Sequence, residues 1–337
     1  MPKHHDYDAL PTDARAPSFR QEMRVVIAVV LFVLVLEGIA RYIAPTLDYD
    51  RENIHEFPQV IHDLEEQAES SGRPRIVFFG NSLMMHGLDQ EIVKTQLGET
   101  KIESAKITPV GTAMLDWVYL YERYFETEGS HPDVLVVGFV AHHIHDQEGI
   151  KLRRLARHFV RKQDLMDLWD FEKMGLHQMS QSVLCNISAL EGDQPEHQLG
   201  ILHTMVADYQ NGVNRNNKLV AAANKRKAEA RAARAAQSAS PEKKDADEKK
   251  ETYRRLTRFI EQCQEHGVEL WFVPMPQPEV WDFNPAAESL MKSYGAKVLD
   301  ARQISGMTEK DFSDGYHLGE SGKEKFSQWM AEQIKGR

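Results

Sequence analysis

Ser82 and the pair Asp314 and His317 are the residues whose types and spacing could do covalent chemistry. Ser82 follows an apolar run, residues 75–79, through Gly80 and Asn81, and precedes a helical stretch that starts at Leu83. A serine so placed sits at the carboxyl end of a strand, where open α/β sheets bind ligands, and the N–H groups of a helix start can hold an oxyanion. The competing use is an ordinary N-cap serine. Asp314-Gly-Tyr-His317 stands in a loop before the last helical stretch. A carboxylate three residues before a histidine can fold back, orient the imidazole and favour the cation formed when the ring takes a proton. Gly315 supplies a permissive backbone for that turn. The competing use is a capping loop with a surface histidine.

These residues need a scaffold that joins position 82 to position 317. The pattern predicts strands over 75–79, 101–107, 133–140, 268–273 and 297–300, each a short apolar run. Helices are expected over 83–97, from Gly111 to about 125, over 254–265 and over 322–334. Strands alternating with helices imply an α/β fold, a parallel sheet with helices on both faces. The third and fourth strands are separated by more chain than a crossover needs. Residues 151–251 are therefore expected to form a helical insertion, a subdomain or lid. Its second part, from Asn214 on, turns to Ala, Lys, Arg and Glu, with a segment near 238–250 expected to be mobile. That charged stretch reads as a solvated helix plus linker, or as a basic surface for anionic lipid or polymer.

Residues 25–44 read VVIAVVLFVLVLEGIARYIA, long and apolar enough for a transmembrane helix. No small-x-small cleavage site follows, so an uncleaved signal anchor is expected. Lys3, Arg15, Arg20 and Arg24 precede the span, and Arg41 and Arg51 follow more sparsely. The positive-inside rule then gives a cytoplasmic tail (1–24), an inner or plasma membrane span (25–44), a connector (45–72) and an extracytoplasmic α/β domain (73–150 with 252–337). Glu37 and Arg41, four apart, read as a self-neutralising interfacial pair or as a docking contact for a multi-span partner. The chain has 51 acidic and 41 basic residues, a net charge of −10, which argues against nucleic acid as a partner. Its two cysteines, Cys185 and Cys263, exclude a disulfide scaffold and leave one bridge open.

Taken together, Phe79-Gly80-Asn81-Ser82-Leu83, Gly111 and Asp314-Gly-Tyr-His317-Leu-Gly-Glu-Ser-Gly322 resemble the SGNH/GDSL hydrolase superfamily, over roughly residues 73–140 and 252–335. The resemblance implies a flavodoxin-like fold in which Ser82 is the nucleophile, His317 the base and Asp314 its orienter. It implies an oxyanion hole from the Ser82 N–H, Gly111 and a third-block asparagine. The chain departs from the pattern twice. Asn81 replaces the usual aspartate, and the third block reads Gly138-Phe-Val-Ala-His142-His143 with no asparagine. Asn81, His142 and His143 are therefore the further oxyanion candidates. An anchor followed by an exported domain of this kind resembles the accessory proteins of polysaccharide O-acetylation and teichoic-acid D-alanylation.

The expectation is a membrane-anchored serine esterase or O-acyltransferase acting on an acylated envelope polysaccharide or similar ester. A membrane-bound O-acyltransferase is the candidate protein partner. The alternative is a catalytically inactive scaffold on the same fold that binds glycan or that partner. No cofactor is expected. His142, His143 and His145 could ligate zinc, but no second ligand pair stands at a recognisable spacing, so no metal is expected either.

Overall fold

The computed structural model describes residues 19–46, 49–98, 102–126, 130–194 and 251–336 of the 337. The first part of the expected cytoplasmic tail and the charged stretch 195–250 lie outside the described residues. Five strands form one sheet: β1 (Arg75–Phe79), β2 (Glu103–Ile107), β3 (Val134–Phe139), β4 (Glu269–Pro274) and β5 (Lys297–Val298). Their order is β2-β1-β3-β4-β5 and every pairing is parallel. The order reverses between β1 and β3, which opens a crevice beyond their carboxyl ends.

Side chains alternate across the sheet, so each strand serves two cores. Ile76 and Phe78 of β1 pack on one face with α3 (Ser82–Gly87), α4 (Gln90–Leu97) and the closing helix Glu320–Lys335. Val77 and Phe79 pack on the other with α2 (Tyr49–Ser71), α5 (Met114–Tyr121) and the helix Arg254–Glu265. All six residues of β3 are buried, which explains its unbroken apolar run: both faces are covered.

Three elements differ from the sequence expectation. The stretch 83–97 is two helices, because Asp89 caps the second: its Oδ1 accepts from the N–H of Glu91 (3.0 Å) and of Ile92 (3.4 Å). Residues 45–72 do more than connect. Helix α2 buries Ile54, Phe57, Ile61, Leu64 and Ala68, a three-and-four spacing, and all but Ala68 join the main core. The helix begun near Gly111 starts only at Met114 and turns π-helical over Glu122–Glu126.

The described part of the insertion contains α6 (Leu152–Arg154), α7 (Leu165–Glu172), α8 (Leu176–Ile187) and α9 (Ala189–Gly192). Leu155, Phe159, Leu165 and Leu168 join the sheet's own core, so this part is packed down on the domain. A buried two-pronged pair reinforces it: Arg255 Nε and Nη2 donate to Glu172 Oε1 and Oε2 at 2.9 and 2.7 Å. Cys185 and Cys263 are both buried and both free thiols.

Helix α1 (Phe19–Ile43) is long and apolar enough to cross a membrane, at about 1.5 Å per residue. Ala40 is its one buried residue, and its apolar side chains face outward. Its last turns dock on the insertion. Glu37 Oε1 accepts from the Ala189 N–H (2.7 Å), and Oε2 from the Ser188 hydroxyl (2.8 Å) and the Leu190 N–H (3.3 Å). Arg41 pairs with Glu37 at 2.8 Å and donates to the Ile187 carbonyl. Glu37 is thus engaged by its own chain rather than left for a partner. Just past α1, Asp50 Oδ1 accepts from the Val110 N–H (2.6 Å) and Oδ2 pairs with Arg154.

Candidate active site

Ser82 occupies the first position of α3, directly beyond β1, where its N–H has no acceptor inside the helix. Gly80 makes that turn. Its φ is 150°, and a Cβ there would lie 2.8 Å from the Gly138 carbonyl oxygen, so only glycine lets the end of β1 pass this close to β3.

Asp314 and His317 come from the loop before the closing helix. An antiparallel bridge between Phe312 and Leu318 and a Ser313 N–H bond to the His317 carbonyl (3.0 Å) close the loop. Beneath it, buried Asp311 accepts from Lys325 Nζ (2.8 and 2.9 Å) and the Ser321 hydroxyl (2.7 Å). Asp314 Oδ1 accepts from the N–H of Tyr316 (2.9 Å) and of His317 (2.7 Å), an Asx turn in which Gly315 has φ 79°. Asp314 Oδ2 is then left 2.7 Å from His317 Nδ1, and His317 Nε2 stands 3.0 Å from Ser82 Oγ. Burial alone would push the Asp314 carboxyl up, but the His317 ring and the two N–H donors outweigh it and hold the group below its ordinary range. With the carboxylate on Nδ1–H, Nε2 is the free base that faces the serine hydroxyl.

The four oxyanion candidates are not equivalent. Gly111 has φ 63°, and its N–H makes no backbone hydrogen bond among the described residues, while its carbonyl accepts from Lys151 Nζ at 2.5 Å. Asn81 is buried and faces inward. Its Oδ1 accepts from the Leu83 N–H (3.0 Å), and its Nδ2 donates to the Thr112 carbonyl (2.9 Å) and meets the His143 ring. Its amide is committed inside the protein, so it ties three loops together rather than donating to a substrate. His143 is buried at 7% exposure, and its Nδ1 accepts from the Val140 N–H (3.1 Å) with Asn81 Nδ2 at 3.2 Å. The Val140 N–H on Nδ1 assigns the proton to Nε2, which itself lies 3.1 Å from Asn81 Nδ2. Burial holds this imidazole down at about 3, so it is a neutral ring whose one donor is Nε2–H. His142 is exposed with its ring 4.1 Å from that of His143 between centroids, and His145 Nε2 faces Glu251 at 3.7 Å.

Two participants carried no sequence signal strong enough to single them out. His86, one turn after Ser82 on α3, meets the His317 ring edge-on at 5.2 Å between centroids. Its four-residue offset from the serine was the available cue. Thr112 donates its hydroxyl to the Pro109 carbonyl (2.9 Å) and accepts from Trp117 Nε1 (2.9 Å), fixing the loop that carries Gly111. A cavity of about 590 Å³ opens beside His317 and Asp314, with His86, Lys106 and Lys323 on its wall.

No protein-family model and no curated protein matches the chain. Among solved structures it is similar to Axe2, an acetylxylan esterase from Geobacillus stearothermophilus, at 8% identity over 77% of this chain and 94% of that one, with a TM-score of 0.36. It is also similar to LAE5, an α/β hydrolase from the metagenome of Lake Arreo, Spain (8% identity, 77% and 94% covered, TM-score 0.34). A third is TesA (8% identity, 77% and 98% covered, TM-score 0.33). Likenesses this distant carry no chemistry, which rests on the residues described above.

Proposed function

We propose that the protein is a membrane-anchored serine esterase or O-acyltransferase of SGNH type, acting outside the cytoplasm on acyl esters of an envelope polysaccharide. The supporting observation is the chain Asp314, His317, Ser82, with links of 2.7 and 3.0 Å. In this reading His317 Nε2 takes the proton as Ser82 Oγ attacks the acyl carbonyl carbon. The carbonyl oxygen becomes an oxyanion facing the N–H groups of Ser82 and Gly111, with His143 Nε2–H in the role of the missing asparagine. Collapse breaks the carbon–oxygen bond to the sugar, and His317 returns its proton to the leaving alcohol. Water or another sugar hydroxyl then attacks the acyl-serine ester, again with His317 as base.

The anchor reading draws on α1, and the orientation on Arg20 and Arg24 in its first turns, ahead of the apolar run. A membrane-bound O-acyltransferase partner would supply the acyl group from the cytoplasmic side. The competing reading is an inactive scaffold, favoured by the committed Asn81 amide and the absent third-block asparagine. A fluorophosphonate probe separates the two. Labelling of the full chain, abolished in Ser82→Ala together with p-nitrophenyl acetate hydrolysis, is the expected result. A wild-type chain that neither labels nor hydrolyses would establish the scaffold.

A further inference from the structure

Away from the serine, at the foot of α1, lies a cleft of about 740 Å³. Six cations line it: Arg41, Arg51, Arg123, Arg157, Arg161 and Lys162. Several carboxylates answer four of them, with Glu122 and Glu126 also acting on Arg161. Glu37 holds Arg41 (2.8 Å), Asp164 holds Arg161, and Asp193 takes both Arg51 (3.2 Å) and Arg157 (3.0 Å). Asp193 is fully buried. Burial would raise its carboxyl, but His158 and the two guanidinia bring it down to about 2, so it is a fixed anion. Among the described residues no carboxylate stands within ion-pair distance of Arg123 or Lys162. The cleft therefore carries an excess of positive charge in a protein whose net charge is −10. Such an excess favours an anionic ligand.

The position of the cleft narrows that ligand. Arg41, Ala44 and Pro45, at the end of α1 and just past it, form part of its wall. Glu37 grips residues 188–190 from a point six residues before the helix ends, about 9 Å down the axis. Next to that grip, Leu184, Ile187 and Leu190 hold apolar side chains in the open, at 57%, 51% and 37% exposure. Exposed aliphatic side chains beside an apolar helix, next to a cleft lined by cations, suit a bilayer leaflet that passes from acyl chain to headgroup.

We propose that this cleft binds the net-anionic headgroup of a membrane phospholipid, with Arg123 and Lys162 at its rim and Arg51 and Arg157 held at its base by Asp193. The proposal rests on the reading of α1 as a membrane span and is independent of the chemistry at Ser82. Lipid is favoured over a free phosphate ester because the cleft starts where the apolar helix stops.

The test is native mass spectrometry of the full chain in a neutral maltoside detergent, with phosphatidylglycerol or phosphatidylcholine of the same acyl chains. The wild type is expected to retain phosphatidylglycerol and release phosphatidylcholine. Arg157→Gln strips a partner from a buried carboxylate and can unfold the insertion, so the decisive variant is the rim pair Arg123→Gln with Lys162→Gln. It should weaken phosphatidylglycerol retention by about fivefold for each charge removed. Equal retention of the two lipids, or a rim variant that behaves as wild type, would overturn the proposal. So would displacement of the lipid by millimolar glycerol phosphate, which would make a soluble phosphate ester the ligand, or tighter binding of a soluble polyuronate. Carbonate extraction of membranes reads the anchor separately. A chain that resists extraction yet shows no lipid preference condemns the headgroup site alone, and an extractable chain removes the span on which the proposal rests.

Discussion

Asn81 governs what its neighbour Ser82 can do. Its amide donates to the Thr112 carbonyl at 2.9 Å and touches the His143 ring, so the loops after β1, β2 and β3 meet on one buried side chain. Asn81→Asp, which restores the residue usual in the resembled family, would set a carboxylate oxygen against the Thr112 carbonyl. It should cost about 1–3 kcal/mol of stability, read by urea denaturation, because a buried acceptor then loses its donor. Asp314→Asn should leave the fold intact, since Asp314 is exposed, yet lower ester turnover by about a hundredfold or more, read as kcat on p-nitrophenyl acetate. An amide there can no longer hold the tautomer that leaves Nε2 free. The serine, histidine and aspartate were legible because each is tied to local backbone: a strand end and a three-residue turn. The inward role of Asn81 and its contact with His143 were not, since they join loops 62 residues apart in sequence.

Helix α2 teaches the same lesson at the scale of elements. Its buried positions Ile54, Phe57, Ile61, Leu64 and Ala68 follow a clean three-and-four spacing, within a segment that the sequence expectation treats as a connector and that also holds Pro58. Proline inside the helix is tolerated here because the apolar face on either side of it is packed. Strands were easier: β1, β3 and β4 are buried on both faces, so their apolar runs had no competing period. The charged part of the insertion's docking was invisible, because it joins residues far apart in sequence. Burial holds His158 down at about 4, against 6.5 for a free imidazole, beside Asp193 at 2.7 Å. The unfolded chain binds that proton first as the pH falls. Stability is therefore whole above about pH 6.5 and is lost progressively toward about pH 4. Melting temperatures recorded across this window should fall for the wild type and fall less for His158→Gln, whose amide can still donate to Asp193.

At the scale of the whole molecule, helix α1 is a structural member. Its Glu37 satisfies a hydroxyl and two N–H groups at residues 188–190. Glu37→Leu should lower the melting temperature of the full chain in detergent by several degrees, since two or three bonds to a carboxylate are lost at about 1.5–3 kcal/mol each. The alternation of strands and helices announced the parallel sheet, and the opening apolar run announced a helix long and apolar enough to cross a membrane. What no pattern could announce is that the two are bolted together, because four short-range bonds between residues some 150 positions apart leave no period in the sequence.

Asp50 stands four residues past Thr46 and holds the N–H of Val110, next door to Gly111. A chain that short reaches no farther than about 14 Å. If α1 crosses a bilayer, the mouth of the candidate site, on its Gly111 side, is therefore held low over it, within that reach. A soluble ester must find that mouth by wandering through a volume, whereas a substrate already carried on the leaflet searches only a plane. Turnover should accordingly climb with the surface density of a lipid-linked ester in proteoliposomes, at constant bulk concentration.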